Sequence, residues 1–399
     1  MNQNLNKLYA IAAKSSRMMI GLMSGTSLDG LDIALCRITA AGQDTGIELV
    51  AFETIAYNNL FKEEIRSVFS KRMVDLEKVC LLNGWVAREH AAMILHCIDK
   101  WGIAAESVDL IASHGQTIYH SPKLLRPADR FGNATLQIGD GDQLAVATGI
   151  ITISDFRQKH IAAGGEGAPL AVYGDYFIFS KKREDRIMLN IGGIANFTYL
   201  PGDLDAGKIF STDTGPGNTL MDAFCQQHFN RAYDKDSALA FAGNVQEALL
   251  MALLDHSFFK QPFPKTTGPE LFNLDYLAEA IAKSGLAGVS NKDIMATLNR
   301  FSAVTIVEAL KRNFSKQEVF TVYTSGGGMH NLLLMQHIRE MLPGHTFYTT
   351  DSLGINPDAK EAVLFAVLAN ECVAGGATAI GNGSAGIPSV TMGKISFPS

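Results

Sequence analysis

The sequence contains few cysteines, and none of them form a close pair that could bind zinc or make a local disulfide. The five cysteines in 399 residues are odd in number and widely spaced, and apolar residues surround them. This spacing is typical of free thiols in a reducing compartment. We therefore expect a cytoplasmic protein without disulfides or zinc; the five residues are Cys36, Cys80, Cys97, Cys225 and Cys372.

An excess of positive charge is also missing. Lys and Arg together number 34 against 40 Asp and Glu, which gives a net charge of −6. This balance offers no electrostatic reason to expect nucleic acid or anionic lipid as a partner. An anionic substrate would therefore have to be held by a few local groups.

Long apolar runs are absent as well. No stretch approaches the ~18 apolar residues that a membrane span requires. The apolar patch 8–13 is short for a signal sequence and has no basic flank, so we interpret residues 1–17 as a flexible N-terminal extension. The length and the hydrophobic content of 47% predict a globular protein of two or three domains.

A stretch rich in Gly, Ser and Asp over residues 25–32 lies between two apolar runs. This pattern predicts two strands joined by a tight turn, because Gly25 and Gly30 allow backbone angles that other residues resist. Backbone N–H groups and small hydroxyls in such a turn suit phosphate oxygens, and Asp29 could hold a hydrated magnesium ion. The lysine of a Walker-type loop is missing. An ordinary surface hairpin with a solvated Asp29 is the alternative.

Polar residues follow two further predicted strands. The apolar run 108–112 ends at Ser113, His114 and Gln116, and residues 150–153 lead to Asp155 and Arg157. Ligands bind at the carboxyl ends of strands in open α/β sheets. Arg157 is suited to a substrate carboxylate, whereas Asp155 fits either that site or a structural salt bridge. His114 fits either a hydrogen bond to substrate or a structural role.

The second half of the chain repeats this order. Residues 186–200 predict a strand, a glycine turn and a strand, and the strand 318–323 precedes Gly326, Gly327 and Gly328. Two halves with the same order of elements suggest a duplicated α/β unit with a cleft between the lobes.

A carboxylate with catalytic potential lies in this second half. Residues 208–212 predict a strand that ends at Asp213, followed by a glycine turn into a helix. A carboxylate at a strand end beside a helix N-terminus is a candidate general base. The alternative is a side chain that only caps the turn.

These motifs together resemble a known family, the anhydro-N-acetylmuramic acid kinases of the sugar kinase, Hsp70 and actin superfamily. The resemblance spans roughly residues 17–390. It implies an α/β, two-lobed, duplicated actin-like (ribonuclease H-like) fold with an interdomain active-site cleft. The blocks that carry it are 25–32, 113–117, 137–140, 155–157, 164–170, 213–218 and 326–328.

The resemblance also implies the domains. We expect a first lobe with the phosphate hairpin over 18–155 and a second lobe with the catalytic Asp and an adenosine loop over 156–378. Residues 379–399 are expected to pack back on the first lobe.

The implied activity is ATP-dependent. The enzyme would open 1,6-anhydro-N-acetylmuramic acid with water and phosphorylate O6, with Mg²⁺, in the recycling of bacterial cell-wall fragments. Asp213 is the implied catalytic base and Asp29 the implied metal ligand. The expected cofactor-binding residues are Gly25, Thr26, Ser27, Leu28, Asp29, Gly30, Leu31, Asp32, Gly192, Gly193, Gly326, Gly327, Gly328 and Asn331. The expected substrate-binding residues are Ser113, His114, Gln116, Arg157, Gly165 and Glu361.

Two other functions stay open at this point. A regulatory ATPase of the Hsp70 or actin type would need a peptide-binding appendage or a polymerising surface, and the sequence shows neither. A kinase for a different small sugar shares the motifs. The sequence leaves a homodimer open, and it departs from the family pattern at Pro269, where arginine is usual, at Glu166, where glutamine is usual, and at 391–394.

Overall fold

The computed structural model describes residues 2–123, 126, 128, 130–314, 318–383 and 387–399. The chain forms two compact units. Unit 1 contains residues 1–180, 204–209 and 354–399, and unit 2 contains residues 181–203 and 210–353.

The described residues contain the following strands and α-helices. The strands are β1 (Ser16–Ser24), β2 (Gly30–Thr39), β3 (Gly46–Ala56), β4 (Leu110–Ser121), β5 (Ala134–Ile138), β6 (Thr152–Ser154), β7 (Arg186–Ile191), β8 (Ile194–Leu200), β9 (Phe210–Pro216), β10 (Thr321–Ser325), β11 (Thr346–Thr349) and β12 (Lys394–Ser396). The helices are α1 (Gln3–Ala12), α2 (Asn59–Val68), α3 (Leu76–Lys100), α4 (Gly141–Thr148), α5 (Phe156–Ala162), α6 (Ala171–Phe179), α7 (Thr219–Phe229), α8 (Ala238–Phe241), α9 (Glu247–Leu254), α10 (Ser257–Lys260), α11 (Leu274–Ser284), α12 (Asn291–Asn313), α13 (Leu332–Met341) and α14 (Lys360–Ala374).

Each unit is built on one mixed sheet, and the two sheets share their connectivity. In unit 1, β1, β2 and β3 form an antiparallel meander, and β1 also pairs in parallel with β4, which pairs in parallel with β6. In unit 2, β7, β8 and β9 form the same meander, and β7 pairs in parallel with β10, which pairs with β11. The duplicated α/β fold expected from the sequence is confirmed.

The core of each unit lies between its sheet and its helices. In unit 1, α3 begins at an Asp75 cap that accepts hydrogen bonds from the N–H groups of Glu77 and Lys78. Its buried residues Val86 and Ile94 are eight positions apart and so lie on one helical face. In unit 2, Leu298 and Ile306 of α12 repeat that spacing. Helical periodicity therefore packs both long helices into their cores.

Helix α14 is buried on almost all sides and packs against β1, β2 and β4. The contact with β1 needs a glycine, because a Cβ on Gly21 would lie 1.9 Å from the carbonyl oxygen of Ala362. This packing makes residues 354–399 part of unit 1, and α5 and α6 belong to unit 1 as well. The compact units therefore divide the chain at other points than the expected boundaries after 155 and 378.

The two ends of the chain are also ordered within unit 1. Residues expected to be a flexible extension include α1, which Asn2 caps. The buried guanidinium of Arg17 donates to Asn370 Oδ1 at 2.6 Å and to the carbonyl oxygen of Ala40 at 2.6 Å. At the other end, β12 pairs antiparallel with β6. Within the described ranges, no helix combines the length and apolar character that crossing a membrane demands. The five cysteines are free thiols.

Candidate functional site

The turn between β1 and β2, residues 25–29, is the expected phosphate hairpin. Leu28 adopts a positive φ of 59° and buries its side chain in the core of unit 1. Thr26, Ser27 and Asp29 are exposed on the other side of the turn. Leu31 is also buried, so it and Leu28 could offer only backbone groups to a ligand. The hairpin is thus anchored by leucine and presents polar groups outward, as a phosphate site requires.

Two further carboxylates, those of Asp29 and Asp358, act on Asp32 near the start of β2. Asp32 Oδ1 accepts a hydrogen bond of 2.6 Å from Thr54 Oγ1. Burial raises the pKa of Asp32, and the charges of Asp358 and Asp29 raise it further. In the part of the chain that the structure describes, no three His, Cys, Asp or Glu side chains are grouped so that they could hold a metal ion. Asp29 could therefore hold a metal only together with water or ligand oxygens.

The three polar residues expected to bind substrate at the end of β4 are all buried. Gln116 accepts a hydrogen bond of 2.5 Å from Ser24 Oγ, and its amide nitrogen donates to the carbonyl oxygen of Thr117 at 3.1 Å. Its side chain is therefore turned toward the hairpin. Ser113 is buried and lines a cavity beside His114. Of these three, only His114 is linked to a residue of the expected substrate site.

That link is a hydrogen bond to Arg157. Arg157 Nε donates to His114 Nε2 at 2.8 Å, and Arg157 Nη1 donates to the carbonyl oxygen of Gly167 at 2.7 Å. Burial, and then the Arg157 charge, lower the pKa of His114 to about 3. A neutral histidine that accepts from Arg157 with Nε2 cannot also donate to a substrate through that atom. His114 thus orients Arg157, and the two bonds leave the Nη2 side of the guanidinium for another acceptor.

Glu361 and the loop 164–167 lie near Arg157. Desolvation raises the pKa of Glu361 although the residue as a whole is exposed, and the charges of Lys360 and Arg157 lower it. Gly165 is buried against His160, since a Cβ there would lie 2.2 Å from the imidazole ring. Unit 1 therefore brings Arg157, His114, Glu361 and Gly165 into one region.

Asp155 lines a cavity together with His114, but its carboxylate has another partner. It stands in a left-handed conformation with φ of 57° immediately before α5, and it forms an ion pair with Lys394 of β12. Of the two roles that the sequence left open for Asp155, the structure favours the salt bridge.

The candidate base of unit 2, Asp213, lies inside β9, which continues to Pro216 because its pairing with β8 shifts register and resumes at Gly215. Asp213 Oδ2 accepts a hydrogen bond of 2.8 Å from the backbone N–H of Thr267, and the Asp213 N–H donates to the carbonyl oxygen of Lys265. Burial raises the pKa of Asp213 to about 6; the Thr267 bond lowers it and the charge of Glu270 raises it. A carboxylate with such a pKa can accept a proton near neutral pH.

The segment that holds Asp213 is fixed by a buried lysine. Lys265 Nζ lies 4.1 Å from the ring centroid of Phe258 and 4.7 Å from that of Phe263, and it donates to the carbonyl oxygen of Phe258. Burial lowers its pKa to about 8. The sequence singled out neither Thr267 nor Lys265 as a site residue. The contact of Thr267 uses only its backbone, so no residue type could have signalled it.

Glycines shape the rest of the expected nucleotide site in unit 2. The N–H groups of Gly217 and Asn218 donate to the carbonyl oxygens of Gly193 and Gly192, which ties the β7–β8 turn to the start of α7. Gly326 has φ of 81°. A Cβ on Gly328 would lie 2.2 Å from Ile191, so no larger residue fits there. The backbone is therefore open to close approach at the exposed Gly193 and Gly327.

The side-chain oxygen of Asn331, an expected nucleotide-binding residue, is bonded within unit 2. Its Oδ1 accepts hydrogen bonds from Ser237 Oγ at 2.7 Å, from Asn299 Nδ2 at 2.9 Å and from the N–H of Leu334 at 3.0 Å. The last of these caps α13. With its oxygen engaged three times, Asn331 fixes the loop after Gly328 and does not offer that oxygen to a nucleotide.

Comparison with known proteins points to one family. The model of the family described as anhydro-N-acetylmuramic acid kinase matches residues 17–398. A protein of that name from Pseudoalteromonas atlantica is 60% identical over 400 residues and covers 100% of both chains. One from Pseudoalteromonas translucida is 55% identical over 399 residues, again with 100% of both chains. One from Caldanaerobacter subterraneus is 38% identical over 396 residues and covers 98% of this chain and 100% of its own.

Proposed function

The chain belongs to the anhydro-N-acetylmuramic acid kinase family, and from that premise we propose its reaction. With ATP and water it opens the 1,6-anhydro bond of 1,6-anhydro-N-acetylmuramic acid and phosphorylates O6, which gives N-acetylmuramic acid 6-phosphate and ADP. The reaction serves peptidoglycan recycling. The observation that carries the mechanism is Asp213, a half-buried carboxylate with a pKa raised to about 6.

The bond changes balance around this one base. Asp213 takes a proton from water, and the resulting hydroxide oxygen bonds to the anomeric carbon as the bond from that carbon to O6 breaks. O6 then bonds to the γ-phosphorus as the bond from that phosphorus to the β–γ bridging oxygen breaks, so that ADP leaves, and Asp213 releases its proton to solvent. Asp213 suits the first step because the Thr267 N–H holds one carboxylate oxygen and the other can face the water. A base with pKa near the working pH is the most effective proton acceptor.

Residues of unit 1 would hold the substrates. We assign the phosphates of ATP to the backbone N–H groups and hydroxyls of the hairpin 25–29. We assign the carboxylate of the sugar to the Nη2 side of Arg157, because Nε and Nη1 are already bonded. Asp29 would hold Mg²⁺ together with water and phosphate oxygens, a ligand set that suits this ion. When bound, the ion neutralises phosphate charge.

A cytoplasmic location fits this reaction, since ATP is available there and the cysteines are free thiols. The partners are then the sugar and ATP. The net charge of −6 supports small-molecule partners over nucleic acid.

A direct assay tests the reaction. The protein is incubated with ATP and a panel of cell-wall sugars, and mass spectrometry follows ADP and the sugar product. We expect only the anhydro sugar to yield a product heavier by both phosphate and water. In ¹⁸O-labelled water the label should reach the anomeric carbon and not the phosphate. Label in the phosphate, or a phosphorylated sugar with an intact anhydro ring, would contradict the coupled mechanism.

The pKa of Asp213 predicts the pH dependence. The base must be deprotonated, so kcat/KM for the sugar should fall about tenfold per pH unit below about pH 6. An ordinary aspartate would keep its activity to about pH 4. Glu270→Gln removes a negative charge that raises this pKa, and the acidic limb should then move to lower pH. A limb near pH 4 in the wild-type protein would exclude Asp213 as the titrating base.

The role of Asp29 predicts a magnesium effect. Because Asp29 is exposed at the hairpin and has little packing role, Asp29→Ala should fold normally. It should raise the magnesium concentration needed for half-maximal turnover by about tenfold, the effect of losing one charge-assisted contact. Unchanged kcat and KM at limiting magnesium would make Asp29 an ordinary surface residue.

A further inference from the structure

Four buried polar side chains in unit 1 form a hydrogen-bonded chain from helix α3 to the phosphate hairpin. His90 Nε2 lies 2.9 Å from Tyr57 Oη, Tyr57 Oη lies 2.7 Å from Ser24 Oγ, and Ser24 Oγ lies 2.5 Å from Gln116 Oε1. Each residue is between 0 and 3% exposed. We call these four residues the His90–Gln116 chain.

The direction of the chain follows from its last member. Gln116 Nε2 donates to two carbonyl oxygens, that of Thr117 at 3.1 Å and that of Gly25 at 3.4 Å. An amide nitrogen has no acceptor capacity, so the atom that faces Ser24 is the amide oxygen, and Ser24 must donate to it.

The remaining donors are then determined. Because the hydroxyl proton of Ser24 is used toward Gln116, Ser24 accepts from the hydroxyl of Tyr57. Tyr57 has no second proton, so its oxygen accepts from His90, which must carry a proton on Nε2. All donors of the chain therefore point from α3 toward Ser24 and Gly25.

The protonation states agree with this direction. Burial lowers the pKa of His90 to about 3, so the imidazole stays neutral with one N–H. Burial also raises the pKa of Tyr57, so its hydroxyl keeps its proton. Neither group changes protonation near neutral pH, and the chain is permanently polarised in one direction.

The His90–Gln116 chain ends at the point where β1 and β4 lose their regular pairing. Strands β1 and β4 pair at Leu22 with Ser113 and then at Ser24 with Gln116, so β4 has one extra residue in this interval. Gly115, within the bulge, has φ of 74°. A bulge of this kind interrupts the backbone ladder. The bonds of Gln116 to Ser24 and to the Gly25 carbonyl join the strands at this interruption.

We propose that the His90–Gln116 chain is a positioning device that fixes the backbone at Ser24 and Gly25 and so aims the hairpin at the phosphates of ATP. Apolar side chains would fill the same space without the cost of burying four polar groups. What the polar chain adds is a fixed orientation for one peptide unit at the base of the hairpin. The inference rests on the proposed function, because it takes the hairpin to be the phosphate site.

Nucleotide binding tests the proposal without any sugar. Isothermal titration calorimetry measures the affinity of the wild-type protein and its variants for a non-hydrolysable ATP analogue with magnesium. Tyr57→Phe keeps the ring, which stacks on Phe61 at 3.9 Å, and removes only the hydroxyl. We expect it to weaken analogue binding about tenfold, the size of one net hydrogen bond. Affinity within twofold of wild type would overturn the proposal.

A second buried tyrosine provides the matched control. The hydroxyl of Tyr173 donates to the carbonyl oxygen of Pro388 at 2.7 Å, and neither residue belongs to the His90–Gln116 chain. Tyr173→Phe should lower the thermal midpoint as Tyr57→Phe does, yet bind the analogue as the wild type does. Equal losses of affinity in both variants would show a general stability effect and overturn the proposal.

If Tyr57→Phe does not fold, two variants of His90, at the α3 end of the His90–Gln116 chain, test the proposal instead. His90→Gln retains an N–H donor near Nε2, whereas His90→Leu removes it. We expect the leucine variant to bind the analogue about fivefold more weakly than the glutamine variant. Equal affinities would mean that His90 does not act on the hairpin. Failure of the proposed function would appear elsewhere, as a wild-type protein that binds the analogue but does not convert the anhydro sugar.

Discussion

Asp213→Asn is expected to lower kcat by roughly 10² to 10⁴, the usual cost of losing a general base. Asparagine has nearly the same size, and its amide oxygen can still accept the Thr267 N–H that holds Oδ2 at 2.8 Å. The variant should therefore fold and bind ATP normally. It cannot take the proton of the attacking water, because a neutral amide is not a base near neutral pH.

The rates of ring opening and of phosphorylation should fall together in this variant. O6 becomes a nucleophile only as the anhydro bond breaks, so neither ring opening nor phosphorylation should proceed alone. Turnover is measured as ADP release and as sugar phosphate by mass spectrometry. Asp222 in α7 provides a control, since burial raises its pKa to about 6 as well. Asp222→Asn should keep kcat within about threefold, far below a general-base effect.

A small loss of kcat in Asp213→Asn would mean that another residue is the general base. If Asp213→Asn kept kcat within about tenfold of wild type, below the usual general-base effect, Asp213 would only hold the segment 265–267. Glu361 would then be the stronger remaining candidate, because Asp155 is paired with Lys394. Glu361→Gln would decide between them.

Arg157→Lys should raise the KM for the anhydro sugar by about 10 to 100-fold, the value of one charge-assisted hydrogen bond. The ammonium of lysine cannot reproduce a planar guanidinium that donates to His114 and to the Gly167 carbonyl and still has the Nη2 side left for the proposed substrate carboxylate. ATP affinity should not change. Arg37→Lys serves as a control, since Arg37 pairs with Glu48 at the exposed surface.

A comparison of two substrates tests the role of Arg157 more directly than KM alone. 1,6-Anhydro-N-acetylglucosamine has the same ring but no lactyl carboxylate. The wild-type protein should prefer the carboxylated sugar, and Arg157→Lys should lose most of that preference. If the variant lowered kcat/KM for both sugars by the same factor, Arg157 would support the loop at Gly167 and would not read the carboxylate.

Backbone pattern was the part that the sequence predicted best. Strand periodicity and the glycines at 25 and 30 located the hairpin, and the repeated order of elements predicted the duplication of the sheet. These features are local, because a period of two or a turn needs only neighbouring residues. The extents of the two units were not predicted in this way, since membership of α14 depends on the contact of Gly21 with Ala362.

Side-chain partners were the part that could not be predicted. His114 and Gln116 were expected to face substrate, but one accepts from Arg157 and the other supports Ser24. The orientation of Gln116 depends on the bulge between β1 and β4 and, through Ser24, on Tyr57 and His90. Hydrogen bonds over such sequence separations are set by tertiary register. The carboxylate proposed as the base, Asp213, was identifiable from the sequence, whereas the Thr267 N–H that lowers its pKa was not.

The discontinuity of unit 1 has a consequence for biosynthesis. Residues 181–353 contain all of unit 2 and the short segment 204–209 of unit 1, and they leave the ribosome before α14 is made. Until α14 arrives, the face of β1 that packs against Ala362 has no cover. Domains usually complete in order from the N-terminus during synthesis. Here the unit whose first strands are made first is completed last, so its sheet gains the cover of α14 only after all of unit 2 has been made.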